Sequence, residues 1–229
     1  KSLSPLANEV LHMLFSIVSS PKKNFIVCQG VGNTGKTAFC CWFFLMLFGG
    51  LFGNGDKDKL CGSGNNRNSH DEGLMVFVGK MIVNFPELAA SDSKRMAVEL
   101  LKKLSGLEII HPRRAGEQLL NHEPTHPTWT IVFSTNVFPA HTDLALLKRM
   151  VMINFVQLFD GDDASYLTKF TRPLRTAFWH LYLRETKITN HLLTATQLNL
   201  AKNYPILEWM TEKWKYETLP IYRFVKHNF

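Results

Sequence analysis

Cysteine is scarce in this chain: four residues in 229, Cys28, Cys40, Cys41 and Cys61, with no paired metal-ligand spacing. So few thiols exclude a secreted disulfide scaffold and suit a reducing compartment. Long apolar runs are also missing. The longest, Ala38 to Leu47, falls short of the ~20 residues a membrane-spanning helix needs, so no integral membrane protein and no membrane partner are expected. No secretory leader is read, and a first residue of Lys1 leads to the expectation that the chain is cut from something longer. Acids are under-represented, 19 against 26 lysines and arginines, for a net charge of +7. That excess suits a polyanionic partner without specifying one. What is present is ordinary globular material, 45% hydrophobic and 20% charged, enough to build a core and too apolar for disorder.

Apolar spacing predicts a helix from Pro5 to Ser19, ended by Ser20-Pro21, and a short strand over Asn24 to Gln29. Thr37 to Phe48 is apolar on nearly every face and reads as a buried helix. Gly49 to Gly73, rich in glycine, asparagine and charge, reads as a loop. Met75 to Phe85 reads as two β-like stretches parted by Gly79-Lys80, and Ser91 to Leu104 as an amphipathic helix. Leu107 to Ile110, Trp129 to Thr135 and Met150 to Phe155 read as strands, and the pattern from Ala164 onward is helical. Strands separated by helices predict an α/β fold with a mostly parallel central sheet flanked by helices. The expected division is a helical lead-in over 1–23, a core over 24–160 and a helical C-terminal segment over 161–229.

Gly30-Val31-Gly32-Asn33-Thr34-Gly35-Lys36-Thr37 fits G-x-x-x-x-G-K-[ST] without a mismatch, after an apolar strand and at the start of a helix. Glycines allow successive backbone N–H groups to point inward at phosphate oxygens, and the helix adds its positive end. Lys36 is placed to reach β- and γ-phosphates and Thr37 to offer its hydroxyl to Mg²⁺, so ATP and Mg²⁺ are the expected ligands. Met81 to Glu87 supplies an apolar strand ending in an acid, although Pro86 stands where adjacent acids would pair. Spacing alone leaves Glu87 open as a metal and water ligand or a surface glutamate. Asn136 is open in the same way, as a γ-phosphate ligand or a turn former before Pro139. Lys148-Arg149, read alone, is a solvated turn. His122-Glu123-Pro124-Thr125-His126 matches H-E-x-x-H only literally, because Pro124 and Pro127 oppose the helix that zinc chemistry requires.

Taken in order, these elements resemble the superfamily 3 helicases, and in particular the helicase half of primase–helicases of nucleocytoplasmic large DNA viruses, of poxvirus and asfarvirus type. The likeness runs from about Asn24 to Phe155. Gly30–Thr37 corresponds to motif A, Met81–Glu87 to motif B, Leu101–Gly106 to the opening of an extra motif, Ile131–Asn136 to motif C, and Leu146–Phe155 to the segment with the arginine finger. The resemblance implies an AAA+-like P-loop NTPase that forms a homo-hexameric ring, hydrolyses ATP and translocates on single-stranded and forked DNA during viral replication. It further implies an N-terminal primase region in the full-length protein and an intracellular site, at viral replication centres in the host cytoplasm. Catalysis would rest on Lys36, Glu87, Asn136 and, in trans, Arg149, with Lys148 as the neighbouring alternative; Thr37 and Glu87 would hold Mg²⁺. A hairpin after Gly106 would enter the ring channel, with Leu107 to Ile110 ascending, Arg113 and Arg114 at its tip on DNA phosphates, and Lys102 and Lys103 adding to the field. The same residues read without the family leave Arg113-Arg114 equally a solvated basic loop. The rival functions are a P-loop motor for DNA packaging and a structural nucleotide-binding module without unwinding activity.

Overall fold

In the computed structural model, the described residues are 7, 9–13, 23–60, 73–88, 98–112, 124–138, 143–158, 172–173, 175–180, 183, 205–219 and 226. Five strands, β1 (Phe25–Gln29), β2 (Phe52–Asn54), β3 (Ile82–Pro86), β4 (Thr130–Thr135) and β5 (Met150–Asn154), form one sheet in the order β2-β3-β4-β1-β5. Every pairing is parallel. A parallel sheet must be covered on both faces, which is why these strands are continuous apolar runs without polar alternation.

Side-chain alternation splits the strands between two cores. Phe25 and Val27, Val83 and Phe85, Ile131 and Phe133, and Met150 and Met152 face one way. They meet α3 (Val98–Ser105), α4 (Leu144–Leu147) and the 3₁₀ turn Leu74–Phe77. Ile26 and Cys28, Ile82, Val132, and Val151 and Ile153 face the other way. They meet the helix after the P-loop, which opens as a π-helix at Ala38–Phe43 and continues as α1 (Phe44–Phe48). A last helix, α5 (Pro205–Thr218), runs along β5 and sends Met210 into one core and Trp214 into the other. Its Thr211 hydroxyl accepts the Met152 backbone N–H at 2.8 Å, so this sheet edge has a partner. Val10 and Met13 pack into the same core as Met210, and Glu9 accepts the Ile206 N–H at 3.0 Å.

Three sequence expectations are corrected here. Gly49 to Gly73 is not all loop: it carries a 3₁₀ turn (Gly49–Leu51), β2 and α2 (Lys57–Leu60). Phe52 is buried and β2 pairs with β3, so a three-residue strand forms on tertiary pairing that local composition does not signal. The first β-like stretch near Met75 is the 3₁₀ turn; both of its buried side chains, Leu74 and Phe77, fall on one side at its spacing of three. Leu107 to Ile110 is not a strand. Leu107 has φ +62°, ending α3, and only Ile110 pairs, in an isolated antiparallel bridge to Thr125. Its two backbone bonds, 3.2 and 2.8 Å, bring the ends of the 111–124 excursion together. The predicted Arg113 and Arg114 lie outside the described residues.

Candidate functional site

Because the strands are parallel, β1, β4 and β3 release their C-terminal loops at one edge. Register puts Gln29 opposite Thr135 and Pro86 opposite Ser134, so the loops carrying Gly30, Asn136 and Glu87 leave side by side. With neighbouring strands about 4.8 Å apart, Glu87 stands two strand spacings, about 10 Å, from the start of the P-loop. The structure places β4, with Asn136, between them.

A cavity of about 640 Å³ opens at this edge, lined by residues 32–38, Cys41, Pro86, Glu87, Leu88 and residues 134–137. Its volume lies in the range of small-molecule sites, ~300–1,000 Å³. The P-loop is shaped for anions. Asn33 and Gly35 take left-handed backbone, φ +58° and +80°, with Thr34 between them, which turns successive N–H groups toward one side. Gly30 is required for another reason: a Cβ there would lie 2.2 Å from the Phe155 carbonyl oxygen. Lys36 is buried, and its Nζ donates to the Val31 carbonyl at 2.5 Å and to Thr34 Oγ1 at 3.3 Å. Burial pulls the Lys36 pKa down. Such an ammonium gains from a phosphate that supplies the missing negative charge.

Glu87 is exposed at the cavity wall, on a backbone with φ +61°. A non-glycine residue there carries strain of order 1–3 kcal/mol and persists only when its surroundings hold it. The anchors are visible. Its N–H donates to the Ser134 carbonyl at 2.8 Å, its carbonyl accepts from Lys57 Nζ at 3.0 Å, and buried Leu88 follows. Thr135 Oγ1 bonds the Leu88 carbonyl and lies 3.0 Å from that of Val137, joining the Glu87 loop to the Asn136 loop. Gln29 Oε1 accepts the Phe138 N–H at 3.0 Å from the far side of the Asn136 loop. These positioning contacts were not foreseen; the available signal was a polar residue, Gln29 or Thr135, ending an apolar strand. Under the ATP-hydrolysing role proposed below, Thr135→Val is expected to lower kcat about tenfold or more with KM little changed, because the hydroxyl positions the loops that bear the reacting groups. Thr135→Ser should restore it, since only the hydroxyl bond is at issue; steady-state kinetics of the two variants check this.

Cys41 on the wall, and Cys40 and Asn84 beside it but outside the lining, are polar but inert. Burial raises the Cys41 thiol pKa, with the Asn84 amide opposing, and raises that of fully buried Cys40 further. Both thiols therefore stay protonated and unreactive. Asn84 donates to Cys41 Sγ at 3.5 Å and Asn54 Oδ1 at 3.2 Å, while its own Oδ1 is buried without a partner. Among the described residues no cluster of three or more His, Cys, Asp or Glu could hold a metal ion. Mg²⁺ does not need one, because it keeps several waters and takes one or two protein oxygens beside substrate phosphates. The Thr37 hydroxyl and Glu87 carboxylate, both exposed on the cavity wall, fit that demand; Pro86 offers no donor.

Two groups of predicted residues are not brought to this cavity. Arg149 precedes β5, at the opposite edge of the sheet, and Nη1 donates to the Lys102 carbonyl at 2.6 Å and to Ser105 Oγ at 3.2 Å. Its guanidinium thus caps the end of α3 within its own chain, while Lys148 is exposed. Lys102 is not a free channel cation: it pairs with Asp143 at 2.7 Å and Glu99 at 3.0 Å. That pairing holds the Asp143 carboxyl below its ordinary pKa, and Asp143 in turn caps α4 through the Leu146 N–H. Lys103 is half-buried on the same helix. Of the H-E-x-x-H stretch, Thr125 is in the bridge to Ile110 and no helix includes Pro124 to His126.

No protein-family model matches the chain, and a search of curated proteins returns no match. Among solved structures the chain is similar to the A-form apo structure of the NrS-1 C-terminal region and to a second apo structure of that region. The identities are 14% and 15%, and the TM-score is 0.52 in each case, over 71% of this chain. The chain spans 38% and 39% of the length of those structures. The likeness is one of fold. No described helix is long and apolar enough to cross a membrane.

Proposed function

We propose that this chain is the ATP-hydrolysing module of a superfamily 3-type DNA helicase, working as a ring on single-stranded and forked DNA. The observation that carries the reading is the convergence of P-loop, Glu87 and Asn136 from three adjacent parallel strands onto one cavity. In this reading the backbone of residues 32–37 and Lys36 hold the triphosphate, and the Thr37 hydroxyl faces Mg²⁺, which neutralises phosphate charge when bound. Glu87 accepts a proton from the attacking water, and the Asn136 amide orients that water or a γ-phosphate oxygen. The order of motifs along the chain supports the helicase assignment, and the similarity to the NrS-1 C-terminal region supports the fold it requires. A forked-duplex unwinding assay with ATP tests it, Lys36→Ala being the blank. Hydrolysis without strand separation would favour the packaging-motor alternative.

The trans-acting cation belongs in this proposal to the Lys148–Arg149 pair. Arg149 must release two internal bonds to serve a neighbour, whereas Lys148 is already exposed. The two variants should therefore separate. Arg149→Ala is expected to lower stability by about 1–3 kcal/mol, because it removes the charge-assisted bonds to the Lys102 carbonyl and Ser105 Oγ, although that carbonyl keeps the Gly106 N–H. Lys148→Ala should melt like wild type. Whichever variant lowers hydrolysis only in the assembled state, and recovers when mixed with Lys36→Ala protein, removes the trans cation.

A further inference from the structure

Outside the ATP cavity, the described helical residues between 172 and 183 carry their side chains in two rows. Arg172, Thr176 and His180 follow one another at intervals of four, and Arg175, Trp179 and Leu183 do the same beside them. At 1.5 Å per residue each row is about 12 Å long. Phe178 and Trp179 dock this segment on the P-loop helix, edge to face with Phe43 at 5.0 Å and with Phe48 at 6.1 Å. Between the two elements lies an open groove of about 630 Å³, with both rows on one side and Leu45 and Met46 on the other.

The charge of this groove is one-sided. Arg172, Arg175 and His180 are exposed, no acid is among its described lining residues, and neither arginine pairs with an acid among the described residues. Lys102, by contrast, is neutralised by Asp143 and Glu99, and Lys215 by Glu212. Apart from Thr176, the uncharged part of the lining is apolar and aromatic, from Trp179, Leu45, Met46 and Leu183. Two planar guanidiniums along a surface with an indole match an extended polyanion that carries flat, stackable groups. We propose that this groove binds a single nucleic-acid strand, phosphates on Arg172 and Arg175 and a base against Trp179. The site is separate from the ATP cavity, yet its Leu45–Met46 wall is on the helix that starts at the P-loop, so a bound strand presses on the element that holds nucleotide.

The test is anisotropy of a fluorescein-labelled oligo-dT with the full chain across a salt series. Arg172→Gln with Arg175→Gln, both exposed and safe for folding, should weaken binding and flatten the log–log salt slope by about 1.4, from two lost contacts at ~0.7 each. Lys36→Ala should bind oligo-dT like wild type, which separates this site from the ATP site. Trp179→Leu should weaken oligo-dT about tenfold while leaving an abasic strand of equal length unaffected. Trp179→Phe, which keeps an aromatic ring against Phe48, should lose less and serves if the leucine variant does not fold. Absence of binding, equal slopes for wild type and the double variant, or displacement of oligo-dT by polyglutamate as readily as by unlabelled oligo-dT would overturn the proposal, the last in favour of an acidic polypeptide.

Discussion

Lys36→Ala is expected to remove ATP hydrolysis, lowering turnover by at least about a hundredfold, while the protein still folds. Lys36 is the one cation among the described residues lining the cavity. Its ammonium is held over the loop by the Val31 carbonyl and Thr34 Oγ1, so it is positioned before any phosphate arrives. The direction of its pKa shift decides the stability side. A lysine whose folded pKa is lowered by burial makes the charged form costly to fold. That cost is fully present below the folded pKa and fades as pH rises toward the unfolded value. Alanine removes both the charge and the cost, so the melting temperature at neutral pH should hold or rise. Malachite-green phosphate release and a thermal melt on the same preparation check both halves. Lost activity with a collapsed melt would mean that Lys36 matters for packing, and retained activity would remove the P-loop assignment.

The sequence makes the P-loop legible because its chemistry is local: eight consecutive residues shape one anion nest. Strands β1, β3, β4 and β5 are legible because burial on both faces leaves continuous apolar runs. Strand order is not local, and nothing in Ile131 to Asn136 says that this strand inserts between the other two. Nor can the sequence show that Arg149 and Lys102 are engaged at home. Both look like free cations until α3 and α4 are packed together, when Lys102 finds Asp143 and Arg149 finds the carbonyl of Lys102. Strand β2 stays hidden because glycine and asparagine conceal a pairing that depends on β3. The Thr135 contact with Leu88 spans 47 residues, and no short-range pattern encodes it.

Glu87→Gln is expected to keep ATP bound and to slow hydrolysis about 10²–10⁴-fold, the usual contribution of a positioned general base. The amide preserves size, and the bonds that fix this residue are made by its backbone, to the Ser134 carbonyl and from Lys57 Nζ. Stability should therefore change by less than ~0.5 kcal/mol. Glu87→Gly sharpens the test. Left-handed backbone costs a residue with a Cβ ~1–2 kcal/mol and glycine nothing, against ~0.5–1 kcal/mol of added chain entropy. Glycine at φ +61° should then leave stability level or slightly higher while hydrolysis is lost as fully as in the glutamine variant. A glutamate kept for structure would behave in the opposite way, losing stability on truncation and little activity on amidation. Nucleotide affinity from a fluorescent ATP analogue, single-turnover hydrolysis and a melt, measured on wild type and both variants, distinguish the two. Normal single-turnover hydrolysis by Glu87→Gln would place the base elsewhere, with Asp92, outside the described residues, next to be replaced.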